Sequence, residues 1–159
     1  EADGDGIVWA LEVAANLPEP RLIPAIQRHL RSSDATRRAI ATDAIVPWLD
    51  DVGVLVELFV DDDSDVRATA ARAAGTASAE LLAAHVGRML RDAVWEVRHQ
   101  AGLALATMGP TGTMVLRVHL DDADPYARDM AALMLDTIAA RDTSAHRRVG
   151  VDEHRNVAA

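Results

Sequence analysis

The sequence predicts an all-α fold, an α-α superhelix of four stacked helix pairs preceded by an N-terminal half repeat. Three observations predict it. A four-fold register repeats about every thirty residues. Apolar residues recur at helical spacing inside each unit. The composition favours close-packed helices: 31 of 159 residues are alanine, and aromatics make up only 3%.

The register is set by four arginines, Arg38, Arg67, Arg98 and Arg128, separated by steps of 29, 31 and 30 residues. With each arginine at position zero, position −12 is Ile26, Leu55, Val86 and Leu116. Position −8 is Leu30, Phe59, Leu90 and Leu120. Position +3 is always alanine, and +7 is Ile45, Ala74, Leu105 and Leu135. The array then divides into a half repeat at 5–17 and repeats at 20–49, 50–77, 78–109 and 110–140, with a polar tail at 141–159.

In order along the chain, residues 7–17 read as a lone second helix, with Ile7 in the arginine position and Asp3 in the capping position. In each full unit a first helix carries the −12 and −8 residues and ends in an acidic turn such as Asp61-Asp-Asp-Ser-Asp65. Asp34, Asp63 and Asp124, at −4, are placed to cap the second helix and oppose its dipole. Pro125 follows as a first-turn proline. Val94 stands in that column in the third unit, so its cap is expected from Asp92 or is missing. The end helices are apolar nearly all round, unlike the polar-faced helices that close most repeat arrays. Flanking sequence, a covering partner or a homodimer through these bare faces would each satisfy them. The tail either folds back as a cap through Val149, Val151 and Val157 or extends as a flexible segment.

The stretches Asp63-Ser-Asp-Val-Arg67-Ala-Thr-Ala-Ala-Arg-Ala-Ala-Gly75 and Trp95-Glu-Val-Arg98-His-Gln-Ala101 resemble HEAT-like repeats, in the short form found in phycobilisome-lyase-type proteins. The resemblance spans residues 20–140. It implies an α-solenoid with second helices on the concave side and a ladder of Arg38, Arg67, Arg98 and Arg128 with the turn aspartates Asp34, Asp63 and Asp124. It also implies that positions +1 and +5 face the groove. These are Ala39, Asp43, Ala68, Arg72, His99, Leu103, Asp129 and Leu133.

Composition excludes several chemistries. Without cysteine there is no disulfide framework, thiolate nucleophile or cysteine-ligated metal. A net charge of −9 with no lysine argues against nucleic acid, which is bound through phosphate neutralisation. No apolar run nears the roughly 20 residues that span a bilayer. A cytoplasmic setting is expected, though the chain starts at Glu1, so an upstream signal or anchor stays open.

The acidic run 61–65 lacks the mid-loop glycine and terminal glutamate of a calcium loop, and reads better as a capping turn. His29 and His119 share position −9, an apolar slot elsewhere, which suits packing histidines. No His-Glu-x-x-His, nucleophile elbow or phosphate loop is present. Trp9, Trp48 and Trp95 are read as packing residues at seams. No metal or cofactor is expected. The function expected is therefore a non-catalytic protein–protein interaction or scaffold module. Its concave row Asp43, Arg72, His99, Leu103, Asp129 and Leu133 would take a partner's peptide or helix, with Leu103 and Leu133 exposed and Asp43 and Asp129 free for basic groups. The alternative, a lyase or chaperone for a tetrapyrrole-bearing protein, is implied by the family resemblance alone.

Overall fold

The computed structural model describes residues 2–16, 19–49, 52–77 and 79–156. Among these there are nine α-helices and no strand: α1 (Ala2–Asn16), α2 (Ile23–His29), α3 (Ala35–Ile45), α4 (Val54–Leu58), α5 (Ser64–Thr76), α6 (Ala83–Arg88), α7 (Trp95–Thr107), α8 (Gly109–His119) and α9 (Pro125–Asn156). The even-numbered helices are the first members of the sequence units and the odd-numbered ones the second.

Local chemistry explains where the second helices begin. Asp34 accepts the Arg37 amide at 3.3 Å and so caps α3. Asp63 accepts from Asp65 and Val66 at 2.9 and 3.3 Å, and Asp124 from Tyr126 and Ala127 at 2.8 and 3.2 Å. Each bond satisfies an amide that a helix N-terminus leaves without a partner. At α7 the capping residue is Val94, whose side chain offers nothing. Asp92 accepts the Val94 amide at 2.9 Å, which closes the turn rather than the helix. Prolines interrupt the first halves: Pro24 and Pro110 sit in the opening turns of α2 and α8. The α7–α8 junction is a single residue, because Gly109 adopts φ +58° in the left-handed region.

The odd-numbered helices pack in chain order, α1 on α3, α3 on α5, α5 on α7 and α7 on α9. Each even-numbered helix lies against its own partner: α2 on α3, α4 on α5, α6 on α7 and α8 on α9, with α6 also touching α8. Burial follows the register. The −12 side chains Ile26, Leu55, Val86 and Leu116 are at most 1% exposed, and all four +3 alanines are fully covered. Each buried −12 side chain contributes about 1.5–3 kcal/mol. Small residues set the approach distance between α5 and α7, where a Cβ on Gly75 would lie 2.7 Å from Ala104 Cα.

Several expectations are corrected. The −8 column is buried at Leu30, Phe59 and Leu90, but Leu120 is 40% exposed. Among the described residues no later first helix follows α8 to cover it. In α1, Leu11 and Ala14 are buried while Ala10, the +3 residue, is exposed, as is Trp9. Trp95 is exposed too, because position −3 lies in the first turn of the second helix, so seam packing describes only the half-buried Trp48. Through residue 156 the tail is helical, continuing α9 as one 32-residue helix about 48 Å long. Its side chains beyond Ser144, those of Glu1 to Asp5 with the expected cap Asp3, and Val157 lie outside the described residues. Among the described residues, no helix is long and apolar enough to cross a membrane.

Candidate functional site: arginine rungs and the second-helix row

The four register arginines share one local contact. Each donates from Nη1 to the carbonyl six residues earlier: Arg38 to Ser32 at 2.8 Å, Arg67 to Asp61 at 2.8 Å, Arg98 to Asp92 at 2.7 Å and Arg128 to Asp122 at 2.6 Å. The side chain at that same −6 position accepts the amide at −4 in all four turns, from Ser32, Asp61, Asp92 and Asp122 in succession. Each second helix is thus tied to its own preceding turn.

Rungs between units use the −6 aspartates, not the capping residues Asp34, Asp63 and Asp124 that the resemblance implied. Arg38 grips Asp61 with Nε at 2.8 Å and Nη2 at 2.7 Å. Arg67 grips Asp92 with Nε at 2.7 Å and Nη2 at 3.1 Å. The capping carboxylates are already committed to helix amides. Where Ile7 stands in the arginine position, the following −6 residue is Ser32 rather than aspartate, so no rung forms there.

The third rung is different. Arg98 is buried beneath Tyr126, its guanidinium carbon 4.6 Å from the ring centroid. Asp122 is held instead by Arg91, with both oxygens 3.0 Å from Nε, and by His119 Nδ1 at 2.6 Å. Arg128 makes no cross-unit pair among the described residues.

These contacts shift the acids. The Arg38 hydrogen bond holds Asp61 below the usual carboxylate range, against the opposing effect of burial. At Asp92 burial is the largest influence and pushes upward, yet the Arg67 bond and the Val94 amide outweigh it and the carboxyl stays low. Asp122 is held well below the ordinary range by Arg91, the Asp124 amide and His119. The guanidinium groups of Arg38, Arg67 and Arg91 are raised by the same bonds. The −6 column was visible in the alignment of the units, and so was the i, i+3 spacing of His119 and Asp122.

The predicted concave row separates into two parts. At the N-terminal end Asp43 pairs with Arg72 at 2.7 Å, so neither is a free contact for a charged partner. Ala68 is buried, and Asp43 is itself half-buried. At the C-terminal end Asp129 and Leu133 are exposed. Leu103 is half-buried against the core and not the open leucine expected. Trp95, His99 and Leu103 follow one stripe of α7 by their i, i+4, i+8 spacing, and Trp95 stacks on His99 at 4.6 Å. Tyr126, Asp129 and Leu133 follow one stripe of the adjoining α9. Trp95 is 55% exposed, Tyr126 59% and Leu133 50%.

Two grooves open between the even-numbered helices. One, about 650 Å³, lies between α2 and α4 over Ile23, Leu30, Trp48 and Leu58, with the exposed Arg31–Glu57 pair at its mouth. The other, about 470 Å³, lies between α4 and α6. No known family model matches the chain, and no curated protein matches it in sequence.

Proposed function

We propose that this chain is a HEAT-like α-solenoid, four helix pairs and an N-terminal half repeat, that serves as a non-catalytic protein–protein interaction module. The chain-order packing of the odd-numbered helices and the four-fold recurrence of the arginine contact support the repeat reading. The polar constellations of the described residues link one unit to the next, as with Arg38–Asp61 and Arg67–Asp92, or pin a turn, as with His119–Asp122.

One observation carries the interaction reading. The adjoining stripes of α7 and α9 present Trp95, Tyr126 and Leu133 to solvent in a chain otherwise poor in aromatics. Exposed aromatic and leucine side chains grouped on neighbouring helices mark contact surfaces, and tryptophan and tyrosine dominate the anchors of such surfaces. The acidic Asp129 between them favours a partner helix with apolar anchors and a basic flank.

The test is a paired variant, Trp95→Ala with Leu133→Asp, whose side chains are exposed and whose helical content is checked by circular dichroism. Proteins captured on the wild-type chain in cells are identified, and the leading one is titrated directly against both forms. Loss of at least about tenfold in affinity, roughly 1.4 kcal/mol, is expected. Equal affinity for the two forms overturns the assignment of this face.

A further inference from the structure

The groove between α4 and α6 differs from the rest of this acidic molecule. Its apolar lining is Val56, Phe59 and Val60 at the end of α4, and Met89 just past α6. Val60 is 79% exposed, a large apolar side chain left in water at the groove's edge. Arg88 and Arg91 place guanidinium groups on its rim beside His85, and among the described residues Arg88 has no carboxylate partner. Arg91 is fixed from below by the buried Asp122, at 2.8 Å from Nη2, while half of its own side chain stays in solvent. The one carboxylate lining the groove, Asp92, is engaged by Arg67 at 2.7 Å. A chain of net charge −9 thus places Arg88, a guanidinium unpaired among the described residues, beside an apolar groove.

We propose that this groove docks an acidic amphipathic segment of a partner protein, with apolar side chains against Phe59, Val60 and Met89 and carboxylates at Arg88 and Arg91. Charge complementarity selects that occupant. A basic segment would meet the guanidinium rim and lose its solvation without gaining a partner. The surface lies on the even-numbered helices and is independent of the α7–α9 stripe, so the two readings stand or fall separately.

The experiment uses the full chain and a fluorescein-labelled helical peptide with leucines at i, i+3, i+4 and i+7 and glutamates elsewhere, followed by anisotropy. The same peptide with lysine for glutamate, and a single-stranded oligonucleotide, are the comparison probes. The glutamate peptide is expected to bind saturably and to weaken with added salt. Arg88→Glu and Val60→Asp, both exposed positions, are each expected to lower its affinity about tenfold or more, roughly 1.4 kcal/mol. Leu133→Asp is expected to leave it unchanged. The proposal is overturned if the glutamate peptide does not bind, if the lysine peptide or the oligonucleotide binds as tightly, or if Arg88→Glu has no effect. Loss of binding in Leu133→Asp also overturns it, because the peptide would then sit on the other face.

Discussion

Replacing Gly75 with alanine sets two effects of opposite sign against each other. Helix propensity favours the change by at most about 1 kcal/mol, and less here because Gly75 lies one residue from the end of α5. Packing opposes it. The new Cβ would lie 2.7 Å from Ala104 Cα and 2.9 Å from Ala104 Cβ. Those atoms belong to the backbone and to a side chain with no rotamer, so the only relief is to separate α5 from α7. Overpacking of that kind costs about 1–3 kcal/mol, leaving a net loss of about 1–2 kcal/mol. Gly102 supplies the control. Its added Cβ would lie 2.7 Å from Met134 Cγ and 3.2 Å from Met130 Cγ, both on unbranched thioether chains that can rotate aside. With the full propensity gain of a mid-helix site, Gly102→Ala is expected within about 1 kcal/mol of wild type. Urea unfolding followed at 222 nm measures both, and thermal unfolding should show Gly75→Ala lower by roughly 2–8 °C. Equal midpoints for the two variants, or a raised midpoint for Gly75→Ala, would refute the reasoning about the α5–α7 approach.

A double-mutant cycle on Arg67 and Asp92, whose side chains are 16% and 13% exposed, should return a coupling of about 1–2 kcal/mol. The same cycle on Arg31 and Glu57, 76% and 65% exposed, should return under about 0.5 kcal/mol. Asp61, Asp92 and Asp122 are all held below the usual carboxylate value of 3.8. Their stabilisation is thus complete above about pH 4 and is lost as pH falls through their folded values. Urea midpoints should be level from pH 5 to 7 and drop below about pH 4, and the drop should be smaller in Asp92→Asn. Val94→Thr, placing a hydroxyl at the one uncapped second-helix start of the repeats, should raise stability by about 0.5–1 kcal/mol in the same assay.

The helical register was legible because burial repeats with the chain's own period. Position −12 and the +3 alanines are core in all four full units, and Asp34, Asp63 and Asp124 cap where the sequence placed them. The rungs were harder to read. The residue two positions before the capping aspartate serves its own turn and the preceding unit's arginine together, and in one unit alone it looks like a further solvated acid. Arg98 shows the limit of reading by column: its alignment equals that of Arg67, but Tyr126, a single change at −2, draws its guanidinium onto a ring. The row on the second helices was half legible. Spacing placed Leu133 correctly on the surface, whereas Asp43 and Arg72, one repeat apart in the same column, neutralise each other across it. Nothing in one unit reveals that pairing, because it depends on which neighbours the stack brings together. The groove between α4 and α6 was not legible at all, since its rim mixes residues that each look like ordinary solvated charges.

The missing rung beside α1 gives the molecule a direction. Seams α3–α5 and α5–α7 are closed by apolar packing and by a two-point guanidinium clasp. The α1–α3 seam has Ile7 and Ser32 in the clasp positions, so among the described residues it carries no such clasp. On the solenoid reading proposed above, a seam without its clasp opens before one that has it. The amides of α1 should therefore exchange with solvent before those of α5 and α7.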